Sequence, residues 1–267
     1  MQTNFIFNLM DIYYKTQKDI EAIKASAEIL GKVHGEIAKM IKVGAKTIDL
    51  DRRAEEFIKD HQAYPSFLNY DGFPASLCIS VNDVVVHGVP DHYELQDGDI
   101  ISVDCGVFLN GFHADSAYTY PVGEVKPQVM HLLKTTRESL YKGIEAMKVN
   151  GRLGDIGFAV QQHVEKQGFS VVRELVGHGV GKNLHEEPIV QNYGRRGDGK
   201  KLANGLVIAI EPMINLGKKE VMKREGEQGI RTLDGKPSAH YEHTVGIING
   251  KVEVLTTFKY IEEVFSF

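Results

Sequence analysis

The chain has 267 residues, 42% hydrophobic and 25% charged, which is ordinary globular material, long enough for one large or two ordinary domains. A formal net charge of −5 and a pI near 6.1 argue against a protein that coats DNA or RNA, since that work needs a basic face. Two cysteines, Cys78 and Cys105, sit in apolar, strand-like stretches and fit reduced thiols of the cytoplasm rather than a disulfide framework.

Residues 1–15 read as an N-terminal segment. "MQTNFIFNLMDIYYK" has no basic opening and meets Asp11 after a short apolar patch, so no secretory signal is expected. No run nears the roughly 18 apolar residues of a membrane span, so no membrane contact is expected either. From Thr16 the pattern changes. Ile20, Ile23, Ala27, Leu30, Val33, Ile37 and Ile41 recur at helical spacing behind Thr16 and Asp19, which stand as in a capping box. "TIDLDRRAEEFIKDHQ", opened by Thr47, predicts a second helix, and residues 75–120 read as strands separated by Gly, Pro and Asn-Gly turns.

Within that strand region "VDCGVFLNGFHADSAY" (103–118) predicts a hairpin, because Asn110-Gly111 suits a type I′ turn in which both central residues need positive φ. With a two-residue loop Leu109 faces Phe112, Asp104 lies opposite Ala117, and Asp115 lies opposite Gly106. Asp104 and Asp115 then point to one side as diagonal neighbours, with Cα atoms about 7–8 Å apart. That is close enough to share two cations about 3.5–4 Å from each other. A three-residue loop would shift the pairing. Two aspartates beside a hairpin are, by themselves, more often solvated edge residues than metal ligands.

An internal repeat adds weight. "KVGAKTIDL" from Lys42 corresponds to "KVNGRLGDI" from Lys148 at an offset of 106, and "DGDIISVD" to "NGLVIAIE" at 107, which aligns Asp104 with Glu211. Two related halves are expected, about 16–122 and 123–250, with corresponding carboxylates facing each other. Asp104 and Glu211 each end an apolar run that reads as a fully buried strand. Glu242 opens another such run beside His243. In "ELVGHGVGKNLHEEP" the glycines around His178 allow close backbone approach, and His185 follows. Each histidine alone reads more readily as a structural residue than as a ligand.

Five blocks in order carry a resemblance: "CISVNDVVVHGVP" (78–90), "VDCGVFLNGFHADSAYTY" (103–120), "ELVGHGVGKNLHEEP" (174–188), "IAIEPM" (208–213) and "YEHT" (241–244). From about Thr16 onward the chain resembles the type I methionine aminopeptidases. The resemblance implies an α+β (mixed α/β) pita-bread fold, pseudo-twofold, with two halves of helices and antiparallel strands around a central dinuclear metal site. It implies a single catalytic domain over 16–267. It also implies Asp104, Asp115, His178, Glu211 and Glu242 as ligands of two divalent metal ions, with His87, His185 and Glu211 catalytic.

The chemistry of that set agrees. Four carboxylates and one imidazole offer about nine donors, against about twelve positions on two octahedral ions, which leaves space for a water and a substrate atom. Four clustered carboxylates repel, and two divalent ions balance them. The ions are expected among Co, Mn, Fe or Zn. An oxygen-rich set with one imidazole favours Mn, Fe or Co over a closed structural zinc site.

The implied reaction is hydrolytic removal of an N-terminal methionine, with a small second residue preferred. A metal-activated water would attack the first peptide carbonyl, Glu211 would move its proton, His185 would stabilise the developing oxyanion, and His87 would assist the leaving nitrogen. By the same resemblance Tyr70, Phe73, Cys78, His87 and His185 line the methionine pocket. One departure stands out: many relatives place a tryptophan at the pocket mouth, whereas this chain has none and carries Gln228 near that position. Lys218, Lys219, Lys223 and Arg224 read first as a solvated loop, and by resemblance as a transient ribosome contact. The expected partner is a peptide or nascent-chain N-terminus, and the expected state is a cytoplasmic monomer. The rivals are a proline-directed peptidase of the same fold, which usually carries a separate N-terminal domain, and a metal-free binding module.

Overall fold

The computed structural model describes residues 11–265. Met1–Met10, on which part of the signal-peptide reading falls, therefore lie outside the described residues, as do Ser266 and Phe267. Helix α1 (Gln17–Met40) begins as its sequence predicts: the Thr16 side chain accepts the Asp19 N–H, and the Asp19 carboxylate accepts the Thr16 N–H at 2.9 Å. Its apolar stripe of Ile20, Ile23, Ala27, Leu30, Val33 and Ile37 is buried, and each large side chain contributes about 1.5–3 kcal/mol by leaving water. Helix α2 (Thr47–Asp60) follows. Thr47 is its first helical residue rather than its cap, and its hydroxyl instead donates to the Asp91 carbonyl at 2.9 Å.

Strands β1 (Tyr64–Pro65), β2 (Leu77–Val81), β3 (Val84–Val86), β4 (Ile100–Leu109) and β5 (Phe112–Pro121) come next. Helices α3 (Pro127–Ala146) and α4 (Leu153–Lys166) open the second half. They are followed by β6 (Ser170–Val171), β7 (Gly177–Gly179), β8 (Glu186–Val190), β9 (Val207–Ile210) and β10 (Met213–Asn215). The hairpin β11 (Val221–Lys223) with β12 (Ile230–Thr232) attaches to β3. Then β13 (Ser238–His240), β14 (His243–Ile248), β15 (Lys251–Val254) and the short α5 (Lys259–Glu262) complete the chain.

The repeat is visible in space. The residue before each second helix makes an antiparallel bridge, Lys46 with Glu94 and Arg152 with Lys201, at offsets of 106 and 107. In the first half β4 lies between β2 and β5, while in the second the order is β15-β14-β9-β7-β8. This is the mixed α+β, two-halved arrangement expected, with every pairing antiparallel.

The halves meet along β5 and the β13–β14 strands through side-chain and backbone hydrogen bonds. Asp115 N–H donates to Thr244 Oγ1 at 3.0 Å, Ser116 Oγ donates to the Glu242 carbonyl at 3.0 Å, and Thr119 Oγ1 donates to the His240 carbonyl at 2.7 Å. With one backbone bond, from Glu242 N–H to the Ala117 carbonyl at 2.9 Å, these hydroxyls stitch the two halves and satisfy buried backbone groups. Among the described residues no helix is long and apolar enough to cross a membrane.

Candidate active site

The β4–β5 hairpin has the register that a two-residue loop demands. Leu109 pairs with Phe112, Asp104 with Ala117 and Gly106 with Asp115, and the turn residues Asn110 and Gly111 have φ of 54° and 83°. As the hairpin reading requires, β4 runs through Asp104 to Leu109, so the apolar run ends at this carboxylate while the strand does not, and the carboxylate projects from mid-strand. Glu211 does end its run, directly after β9, and Glu242 sits directly before β14, which pairs with β9 at Ile210 and His243. His178 is the middle residue of β7.

These five side chains converge. His178 Nε2 is 3.4 Å from Glu211 Oε1 and 3.9 Å from Asp115 Oδ2, and donor atoms of Asp115, His178 and Glu242 all lie within 4.8 Å of one another. The His178 Nδ1 is 2.9 Å from the Gly179 carbonyl, which can only accept, so Nδ1 carries the proton and Nε2 presents a lone pair to the cluster. Asp115, Glu211 and Glu242 are buried, and Asp104 is partly so.

The electrostatics of so many carboxylates are unfavourable without cations. Burial first, and then the charges of Asp115 and Glu211, push Asp104 well above the usual carboxylate range. Glu211 and Glu242 are raised well above it by the same two causes, burial leading, and burial lifts Asp115 to about 7. Asp104 Oδ1 and Glu242 Oε1 are buried without a hydrogen-bond partner. Orphaned oxygens, a correctly protonated imidazole and mutually repelling acids fit divalent ions, and the donor set suits hard or borderline ones.

The cluster forms the floor of a cavity of about 250 Å³ whose lining includes all the residues singled out from sequence: Tyr70, Phe73, Cys78, His87, His185 and Gln228. His87 follows β3 with φ of 59°, a left-handed conformation rare for a side chain of this size, which turns the chain at the cavity wall. His185 Nδ1 is 2.8 Å from the Tyr70 hydroxyl, and its ring stands edge-on to His178 at 4.3 Å. Burial drives both histidines towards neutrality, His87 to about 4 and His185 to about 2. Cys78 and Cys105 are buried free thiols, as expected.

Sequence reasoning missed some of the wall. Phe67, Leu184 and Met213 also line the cavity, and Phe67 packs with Cys78 and Leu184 beside Tyr70 and Phe73. Leu184 could have been found by its position next to His185. His240 was missed too: its buried Nε2 lies 3.5 Å from Glu211 Oε2 and otherwise has no partner. Its place two residues before Glu242 was the available signal.

The pattern that defines metallopeptidase family M24 matches residues 21–249. A methionine aminopeptidase of Clostridium perfringens is 50% identical over 248 residues, covering 93% of this chain and all of the relative. The chain belongs to the methionine aminopeptidase family. Solved methionine aminopeptidases agree in three dimensions. Those of Thermotoga maritima and Rickettsia prowazekii each superpose with a TM-score of 0.91, at 39% and 37% identity, over 92% of this chain and 100% of theirs. Membership of this metallopeptidase family implies divalent metal ions, and the acidic cluster supplies a group able to hold them.

Proposed function

We propose that this chain releases methionine from the N-terminus of peptides and nascent proteins, with a preference for a small second residue. The observation that carries this reading is the convergence of four carboxylates and one imidazole, drawn from both halves, beneath a small cavity with aromatic walls. Asp104, Asp115, His178, Glu211 and Glu242 would hold two ions of Co, Mn, Fe or Zn. When bound, the ions supply Lewis-acid polarisation and lower the pKa of water.

The chain's own residues do the rest. Glu211 accepts the proton of the attacking water and passes it on. We assign the 2.8 Å hydrogen bond between the Tyr70 hydroxyl, which can donate or accept, and His185 Nδ1 with the hydroxyl as donor. His185 Nε2 therefore carries its own proton and can donate to the carbonyl oxygen as negative charge develops. His87 hydrogen-bonds the scissile nitrogen and assists its departure. The free α-amine lies against Asp104. Phe67, Tyr70, Phe73, Cys78 and Leu184 take the methionine side chain and keep water away from it.

The place of action we propose is the cytoplasm, with a monomer as the working unit. The exposed Lys218, Lys219, Lys223 and Arg224, on and beside the β11–β12 hairpin, are the proposed transient contact with the ribosome. The test is peptide cleavage with and without chelator. Met-Ala-Ser should lose methionine, stop on chelation and recover on addition of divalent metal. Cleavage of Ala-Pro peptides instead would make this a proline-directed enzyme, and cleavage of neither would make it a binding module.

A further inference from the structure

Tyr13, Tyr14 and Lys15 precede the first helix and have no part in the chemistry above. Yet the Lys15 side chain is 0% exposed, and its Nζ lies 2.7 Å from Glu186 Oε2, which belongs to the residue after His185. Burying an ammonium and a carboxylate is costly even when they pair, so such a pair is weak evidence for added stability and better understood as fixing a geometry.

The surroundings show what is fixed. The other Glu186 oxygen accepts the Asn183 N–H at 3.0 Å, which closes the turn that carries Leu184 and His185. Gly181 lies so near the pair that a Cβ there would sit 2.7 Å from both Lys15 Cε and Glu186 Oε1. The Gly181 carbonyl accepts the His113 N–H from β5 at 2.8 Å. Lys15 is itself pinned, its N–H donating to the Gly205 carbonyl at 2.7 Å, and Lys182 stands 4.9 Å over the Tyr13 ring. The far side of the turn presents His185 to Tyr70 and His178.

We propose that Lys15 and Glu186 are positioning residues: their buried ion pair sets the turn 183–186 so that the His185 imidazole stands over the cavity. The inference rests on the reading of His185 as the donor to the substrate carbonyl. It also gives Lys15, ahead of the first helix, a role in catalysis at a distance.

The test compares Lys15→Met in the intact chain and in a His185→Ala background, with kcat, KM, metal content and histidine side-chain NMR signals measured on each. Expected is a fall in kcat of about tenfold or more, KM within about twofold, unchanged metal content and a displaced His185 resonance. In the His185→Ala background the same substitution should change kcat less than about twofold. Equal losses in both backgrounds, or an unmoved His185 resonance, would overturn the proposal. If His185→Ala alone left kcat intact, the reading of His185 would fall first and take the positioning role with it. Should Lys15→Met not fold, Lys15→Met with Glu186→Gln leaves no unpaired buried charge and carries the same comparisons.

Discussion

Removing the metal should make the protein less stable as pH rises from about 6.5 to 8. Burial lifts the folded pKa of Asp115 to about 7, and burial followed by neighbouring acids raises Asp104, Glu211 and Glu242 well above the usual carboxylate range. A group whose folded pKa exceeds its unfolded value contributes stability that is complete below the unfolded value, near 4 for carboxylates, and is lost as pH climbs through the folded one. Each carboxylate still protonated in the folded chain but ionised in the unfolded one tilts stability by about 1.4 kcal/mol per pH unit. One such group gives up to about 1.4 kcal/mol per unit, or a melting temperature falling by roughly 3–6 °C for a chain of this size. The window matters. Below about 6.5 the buried His34, held near 4, and His240 and His243, held near 3, act in the opposite direction, and above 8 the buried thiols intervene. The assay is thermal melting of chelated and metal-loaded protein at constant ionic strength, with the loaded curve flat and the gap widening with pH. A chelated melting temperature that is flat or rises over this window would show that the four acids ionise comfortably alone, and the case for cations would fail.

Three further outcomes are expected. His185→Ala should lower kcat by about 100-fold or more while metal content stays unchanged, the loss typical of a missing oxyanion donor, and equal loss of metal would assign the residue elsewhere. Gly88→Ala would drive a Cβ to 2.0 Å from the Ile79 carbonyl oxygen, so a loss of about 3 kcal/mol or more is expected in denaturant melts, together with a disturbed His87. Removing the charges of Lys218, Lys219, Lys223 and Arg224 together should weaken ribosome co-sedimentation and flatten its salt dependence, and unchanged binding would return the cluster to an ordinary solvated loop.

Much of this fold was legible because its signals are local. The Thr16–Asp19 cap, the stripe from Ile20 to Ile41 and the Asn110-Gly111 turn each fix a geometry within a few residues, and the turn alone set the Asp104–Asp115 relation. The repeat went further by aligning Asp104 with Glu211 before any coordinates. What stayed hidden depends on residues distant in sequence. The hydroxyl stitches of Ser116, Thr119 and Thr244 leave no period to read, and neither does the 171-residue span from Lys15 to Glu186. Continuation of β4 past Asp104 followed from the Asn110-Gly111 turn, and the cluster of acids supplies the reason that a carboxylate is tolerable mid-strand.

The seam along β5 and β14 also sets how the molecule will respond to force and to dilution of its cations. Two of the five candidate donors belong to one half and three to the other, so any ion gripped by all of them works as a rivet through the joint. Withdrawing the rivet would leave the centre of the joint to the hydroxyl stitches and the backbone bond from Glu242 N–H to the Ala117 carbonyl.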